Sequence, residues 1–135
     1  LDYFCSFCFL FVFFYDFCRR IKQRYDSMEN TGKIFGISLG PGDPELITVK
    51  GKRLIDEADI IIYAGSLVNP QVLSGARPEA EIYNSATMNL EEVLDVMKRG
   101  VAAGKKVVRV HTGDPSIYGA HREQMVELEK MGIPY

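Results

Sequence analysis

Two turns rich in glycine, proline and aspartate, each placed directly after a short apolar run, constrain this chain most. The run Ile34–Leu39 leads into the turn Gly40–Pro44, and the run Val107–Val110 leads into the turn Thr112–Ser116. Such residues favour tight turns in which the backbone can approach a ligand closely. Turns at the carboxyl ends of strands predict a small-molecule site at the crevice of an open parallel sheet.

From Lys33 onward, strand-like and helix-like segments alternate. The predicted strands are Ile34–Leu39, Ala58–Tyr63, Glu81–Tyr83 and Lys106–Val110. Strands that alternate with crossover helices predict an α/β domain with a mostly parallel sheet flanked by helices. Ile133–Tyr135 has the pattern of a fifth strand at its start, so we expect the sheet to be truncated in this sequence.

Capping residues and apolar periods predict the helices. Asp43 and Pro44 suit the start of one helix, and Asn69–Pro70 the start of a short one. Asn89 with Glu92 resembles a capping box. The residues predicted to face the core in the first and third of these helices are Ile47, Leu54, Ile55 and Ala58, then Leu90, Val93, Leu94, Met97 and Val101. A last helix is predicted from about Ser116 through Met125, Leu128 and Met131.

The first 27 residues differ from the rest of the chain. An aromatic, apolar run at Phe7–Tyr15 precedes a basic stretch at Arg19–Arg24. It falls short of the about 20 apolar residues of a bilayer span, and it lacks the marks of a secretory signal. A membrane-surface segment, an extension upstream of a natural start at Met28, and a disordered leader remain open. We expect residues 1–27 to lie outside the fold and to give no stable membrane insertion.

Cysteine usage and net charge exclude several classes of function. All three cysteines, Cys5, Cys8 and Cys18, lie in the leader, and no second Cys or His pair accompanies the C-x-x-C motif. We therefore assign it no metal or redox role. The formal charge of −2 gives no electrostatic case for nucleic acid or an anionic membrane surface.

The first turn departs from the dinucleotide fingerprint. Gly40 and Gly42 match its first two glycines, but Glu45 stands in the place of the third. A pyrophosphate there would meet the carboxylates of Asp43 and Glu45, whereas a cationic centre such as a sulfonium would be attracted. A purely structural turn with an aspartate cap is the alternative. Asp114 in the second turn likewise could cap a helix or accept ligand hydrogens.

Three stretches of the chain, Leu39–Thr48, Ala58–Val68 and His111–Gly119, resemble the tetrapyrrole methylase family. The resemblance covers residues 33–135, and Tyr63–Pro70 is similar to the members that methylate C11 of precorrin-4 or cobalt-precorrin-4 in cobalamin biosynthesis. It implies a two-domain α/β enzyme that binds S-adenosylmethionine between its domains. Residues 33–135 would be the first domain, with the second missing, and we expect little or no activity from these residues alone.

The resemblance also implies site residues. Pro41 would lie against the cofactor, and the second wall of its pocket would be formed by Thr112, Gly113, Asp114 and Ile117. Uroporphyrinogen methylases carry an Asp at the position of Ala64, so no catalytic base is carried over and the catalytic residue stays unknown. Basic residues should hold the carboxylates of the tetrapyrrole substrate. The first candidates are Arg109 and His111, and the further candidates are Arg77 and Arg122.

For the full-length protein the resemblance implies a cytoplasmic homodimer that acts on a small tetrapyrrole and not on nucleic acid. Two other kinds of function remain as alternatives. One is another transferase of this fold, a diphthine synthase or a ribosomal-RNA ribose methylase, which the turn Ala64–Ser66 disfavours. The other is a nucleotide-binding module without chemistry, which the missing third glycine disfavours.

Overall fold

A computed structural model describes residues 32–65, 68–114 and 121–135, and the predictions for residues 1–27 and for Ile117 lie outside these ranges. The strands are β1 (Lys33–Ser38), β2 (Ile60–Tyr63), β3 (Glu81–Asn84) and β4 (Lys106–His111). The α-helices are α1 (Val49–Asp56), α2 (Leu90–Ala102) and α3 (His121–Lys130). Short 3₁₀ helices span Pro44–Leu46, Pro70–Leu73 and Ser85–Thr87.

The sheet has the order β1-β4-β2-β3, and its three strand pairings are all parallel. This confirms the predicted α/β class. Of the two inner strands, β2 and β4, β4 is the longer, and its Val107, Val108 and Val110 are fully buried. Parallel strands need cover on both faces, which explains why isoleucine fills most of β2 and valine half of β4.

Each face of the sheet has its own apolar layer. The layer under α1 and the Pro70–Leu73 helix includes Ile37, Leu54, Ile55, Ile61 and Val108. The layer under α2 and α3 includes Ile34, Ile60, Val93, Met97 and Leu128. Because side chains alternate along a strand, β4 sends Val108 to one layer and Val107 to the other. That alternation also sends Arg109 and His111 towards the α2 and α3 side.

The single helix predicted after Asp43 is in fact two. Asp43 caps only the 3₁₀ helix, with its carboxylate 2.9 Å from the Glu45 amide. Thr48 then caps α1 by accepting the Gly51 N–H at 3.0 Å. The β-branched residues around Thr48 disfavour a continuous helix, and the threonine hydroxyl offers a cap in its place. Leu54 and Ile55 still face the core as predicted.

The capping box that begins α2 is confirmed in both directions. The Asn89 side chain accepts the Glu92 N–H at 2.9 Å, and the Glu92 carboxylate accepts the Asn89 N–H at 2.8 Å. Gly104, at φ +71°, follows the end of the helix and turns the chain towards β4. Leu90 was placed on the apolar face, but it is 37% exposed because the buried face begins with Val93.

The end of the chain differs from its prediction. Helix α3 is described from His121, and residues 115–120 lie outside the described ranges. The helix ends at Lys130, so Met131, predicted to lie within it, follows its end and is 38% exposed. No strand is present at Ile133–Tyr135, although the Ile34 N–H donates to the Pro134 carbonyl at 3.5 Å and so places this segment beside β1. Within the described ranges no helix combines the length and apolar character that a membrane span needs.

Candidate functional site

The two turns meet at the carboxyl ends of the adjacent strands β1 and β4. The Leu39 N–H donates to the His111 carbonyl at 2.9 Å, which continues the sheet by one bond. The Gly113 N–H donates to the Gly40 carbonyl, also at 2.9 Å. Two segments more than 70 residues apart in sequence therefore form one continuous backbone surface, as expected for a site at the crevice of a parallel sheet.

Ser38, the last residue of β1, strengthens this junction. Its hydroxyl donates to the Gly113 carbonyl at 2.6 Å and accepts the Gly40 N–H at 3.0 Å. Sequence reasoning missed this residue. The only available signal was a polar side chain at the end of an otherwise apolar strand.

The glycines of these turns leave space for a ligand. Gly40, Gly42 and Gly113 have φ values of 65°, 111° and 64°, which is backbone that side chains rarely adopt. A Cβ atom on Gly42 or Gly113 would meet no heavy atom within 4 Å. Open space beside these turns allows another molecule to approach the backbone directly.

Two buried polar atoms beside the turns lack a hydrogen-bond partner among the described residues. They are Oγ1 of Thr112 and Nε2 of His111. A buried polar group without a partner costs on the order of 1–3 kcal/mol, so native proteins rarely keep one without a reason. A bound molecule with polar groups at this edge would satisfy these atoms. The residues present therefore fit a ligand-binding role.

The residues predicted to bind the cofactor are partly brought together. Pro41 is exposed in the first turn, and Thr112, Gly113 and Asp114 form the second turn directly beside it. Ile117 lies outside the described residues. The carboxylates of Asp43 and Glu45 are exposed near Pro41. Their negative charge favours a cationic ligand centre over a pyrophosphate.

Arg109 lies inside the domain and not at its surface. The side chain is 5% exposed, and its guanidinium donates to the Ile62 carbonyl at 3.2 Å and to Oε1 of Gln124 at 3.3 Å. Burial lowers the pKa of Arg109 to about 10, so the group remains a cation at neutral pH. Its predicted contact with substrate carboxylates stays a prediction, and the guanidinium is engaged under α3 in this structure.

His111 is also enclosed. It is 2% exposed, and its ring meets that of His121 edge to face, with 5.1 Å between the ring centroids. Burial lowers the pKa of His111 to about 4, and the charges of Arg109 and His121 add to the effect. The imidazole is therefore neutral at physiological pH. Any contact of His111 with a substrate carboxylate must be a hydrogen bond and not an ion pair.

Arg77 is not brought to the site. Its guanidinium pairs with Asp59 at 2.7 Å and donates to the Glu57 carbonyl at 2.6 Å, at the amino end of β2. Arg122 is exposed in the first turn of α3, and Ala64 follows β2 at the carboxyl edge. Within the described ranges no three side chains of His, Cys, Asp or Glu gather as a metal-ligand set.

Known proteins share this sequence and this architecture. A cobalt-precorrin-4 C(11)-methyltransferase of Methanocaldococcus jannaschii is 64% identical over 106 residues, which are 78% of this chain and 41% of that protein. The crystal structure of a cobalt precorrin-4 methyltransferase superposes with a TM-score of 0.72 at 50% identity, over 75% of this chain and 42% of that one.

A third similar protein has a structure that contains a ligand. The uroporphyrin-III C-methyl transferase of Thermus thermophilus, in a structure complexed with S-adenosyl homocysteine, superposes with a TM-score of 0.64 at 35% identity, over 76% of this chain and 42% of that one. The chain thus spans about two-fifths of the length of the relatives it matches. The sequence model of the tetrapyrrole (corrin/porphyrin) methylases matches residues 33–135. The chain belongs to the tetrapyrrole methylase family.

Proposed function

We propose that this chain provides the S-adenosylmethionine-binding turns of a methyltransferase that acts on a corrin precursor, precorrin-4 or cobalt-precorrin-4, at C11 in cobalamin biosynthesis. The observation that carries the proposal is the joined pair of turns at the carboxyl edge of the sheet, with a Thr112 hydroxyl that has no partner among the described residues. The name of the 64% identical relative supports the reaction, and the S-adenosyl homocysteine complex of the Thermus protein supports the cofactor.

The turns would hold the cofactor through backbone and hydroxyl groups. Pro41 contributes an exposed apolar surface on one side, and Thr112 contributes its buried hydroxyl on the other. Gly113 and Asp114 continue the second wall, with Ile117 following them in sequence. The carboxylates of Asp43 and Asp114 lower the electrostatic energy of a sulfonium, which suits a donor whose methyl group is already electrophilic.

Substrate contacts would come from the side chains beneath the turns. Arg109 is a buried cation whose guanidinium has no carboxylate partner among the described residues, so its positive potential favours an acidic tetrapyrrole. His111 would donate or accept a hydrogen bond through Nε2, the ring nitrogen for which the described residues offer no partner. These two roles would place the substrate on the α3 side of the sheet.

Catalysis in this proposal comes from positioning. S-adenosylmethionine, when bound, would supply a methyl group on a sulfonium; an electron-rich ring carbon of the substrate would take that methyl group as its bond to sulfur breaks and S-adenosyl homocysteine leaves. The chain's share is to align the two and to exclude water, which can account for much of the acceleration. No side chain of the chain is assigned as a nucleophile or as a base.

A chimera tests the reaction. The 106 matched residues of the M. jannaschii relative are replaced by those of this chain, and the product formed from S-adenosylmethionine is analysed by mass spectrometry with precorrin-4 and with cobalt-precorrin-4. We expect one added methyl group and an equal amount of S-adenosyl homocysteine. A folded chimera that methylates neither substrate contradicts the proposal. The same assay on the 135 residues alone tests the prediction that they have little activity by themselves.

We also infer that the full-length protein is a homodimer in the cytoplasm that binds no nucleic acid. The family resemblance supports the dimer and the compartment, and the formal charge of −2 supports the exclusion of nucleic acid. Sedimentation equilibrium tests the dimer. Calorimetry with S-adenosyl homocysteine and NAD separates a methyltransferase from a nucleotide-binding module, because only the latter would prefer NAD.

A further inference from the structure

The hydroxyl of Ser38 is the one side-chain group, among the described residues, that bonds to both turns of the site. It uses both of its hydrogen-bonding functions, as a donor to the Gly113 carbonyl at 2.6 Å and as an acceptor of the Gly40 N–H at 3.0 Å. Ser38 is paired in register with His111, so it stands at the last rung of the β1–β4 ladder. The two turns begin just after this rung.

The position of this hydroxyl matters because the ladder ends there. Beyond Ser38 the two turns are linked by two backbone bonds, from Leu39 to His111 and from Gly113 to Gly40. The glycines at positions 40 and 113 give each turn a large conformational freedom in the absence of such links. A hydroxyl bonded to both turns restricts their separation, and restricting a site in its bound geometry raises affinity by lowering the entropy lost on binding.

We propose that Ser38 is a positioning residue that couples the two turns and thereby sets the affinity for the methyl donor. The coupling rests on the bonds above, and its consequence for affinity rests on the proposed function. Both bonds of the Ser38 hydroxyl go to the backbone of the turns, so the proposed role is positioning and not catalysis. The substrate's own affinity should be much less sensitive to its removal than the affinity for the donor.

Three variants of the chain test this proposal. Ser38→Ala removes both bonds, and Ser38→Thr keeps the hydroxyl. Ser74→Ala is the matched control, because the Ser74 hydroxyl also donates to a carbonyl, that of Gln71 at 2.7 Å. Ser74 precedes Gly75, which lies against Asp56 at the end of α1, near the opposite end of the sheet. Backbone amide exchange of the chain is measured by NMR. The affinity for S-adenosyl homocysteine is measured by calorimetry on the M. jannaschii chimera that carries each substitution.

We expect the Gly40 amide to exchange faster in Ser38→Ala, since it loses its acceptor. The decisive amide is that of Gly113, because its own acceptor, the Gly40 carbonyl, is still present in the variant. Faster exchange at Gly113 as well shows that the turns have separated. The affinity for S-adenosyl homocysteine should fall roughly tenfold in Ser38→Ala, recover in Ser38→Thr and stay unchanged in Ser74→Ala.

Unchanged exchange at Gly113 in Ser38→Ala would overturn the proposal, and so would an affinity equal to that of the Ser74→Ala control. Failure of the proposed function gives a different result. There the M. jannaschii chimera with Ser38 unaltered shows no affinity for S-adenosyl homocysteine, while exchange at Gly113 still reports whether Ser38 couples the turns.

Discussion

The two ends of the parallel sheet differ in how their polar groups are paired. At the amino end, Asp59 accepts from the Arg77 guanidinium at 2.7 Å and from the Lys106 N–H at 2.8 Å. Lys105 and Glu81 form a second ion pair there, at 2.5 Å. At the carboxyl end, Thr112 Oγ1 and His111 Nε2 are buried without a partner among the described residues.

This difference suits a domain in which the amino end contributes stability and the carboxyl end is the candidate site. Charges at the amino end meet opposite charges. The exception is Nε of Arg77, which has no partner among the described residues although the Nη2 atom makes two bonds. At the carboxyl end, Thr112 Oγ1 and His111 Nε2 lack a partner within the described residues, and a buried polar atom without a partner costs free energy of folding. Such a cost is expected where a ligand later supplies the missing partners. Substitutions at the two ends should therefore affect different measurements.

The largest expected effect is the acid sensitivity of the carboxyl end. Burial holds the pKa of His111 at about 4, against an ordinary value of 6.5, so the unfolded chain binds a proton at a higher pH than the folded one. The contribution of the neutral His111 to the free energy of unfolding is therefore fully present above pH 6.5, and about 3 kcal/mol of it is lost as the pH drops towards 4. Urea unfolding from pH 7.5 to pH 4 should show a smaller loss in His111→Phe than in the wild type. Equal losses would contradict the assignment.

The next effect belongs to the amino end. Asp59→Ala removes the acceptor of two hydrogen bonds, one of them charged on both sides, and should cost about 2 kcal/mol in the free energy of unfolding. Asp95→Ala is the matched control, because its pair with Arg99 is exposed and should cost less than about 0.5 kcal/mol. Both variants should bind S-adenosyl homocysteine as the wild type does. A loss of affinity in Asp59→Ala would break the separation of the two ends.

Thr112→Val sharpens the comparison at the carboxyl end. The substitution removes a buried hydroxyl that lacks a partner among the described residues, so the free protein should be as stable as the wild type or up to about 1 kcal/mol more stable. Affinity for S-adenosyl homocysteine should fall roughly tenfold, because a ligand contact is lost. Thermal unfolding and calorimetry measure the two quantities. A variant that is destabilised and binds normally would show that the hydroxyl has a structural role only.

The smallest effect compares two glycines of similar geometry. Gly113 and Gly104 have φ values of 64° and 71°, and a Cβ on either would meet no heavy atom within 4 Å. Alanine at each position should cost about 1 kcal/mol of stability through backbone strain alone. Only Gly113→Ala should weaken binding of S-adenosyl homocysteine, because Gly104 ends α2 away from the turns. Equal affinities of the two variants would remove Gly113 from the site.

Local chemistry made most of the fold predictable. Short apolar runs located the strands, and capping residues located the starts of helices. Both hydrogen bonds of the predicted Asn89–Glu92 capping box are present. The split after Asp43 was missed because the cap at Thr48 competes with helix continuation, and periodicity does not reveal that competition. The exposure of Leu90 was missed because tertiary packing decides which turn of the helix is the first to be buried against the sheet.

The meeting of the two turns was predictable, and the surroundings of the candidate side chains were less so. Glycine, proline and aspartate after two strands were enough to place both turns at one edge of the sheet. The burial of Arg109 and His111 depends on α3 covering the sheet, which no local pattern encodes. Ser38 was missed because its hydroxyl bonds to Gly113, a residue distant in sequence that only the tertiary fold brings beside it.

Chemical-shift mapping with S-adenosyl homocysteine tests the central claim most directly. Amide signals of the isotope-labelled chain are followed during a titration with the ligand. We predict saturable shifts at Gly40–Asp43 and at Thr112–Asp114 together, with no response at Asp59, Arg77 or Lys106. Shifts confined to the amino end of the sheet, or to one turn without the other, would contradict a ligand site formed jointly by the two turns.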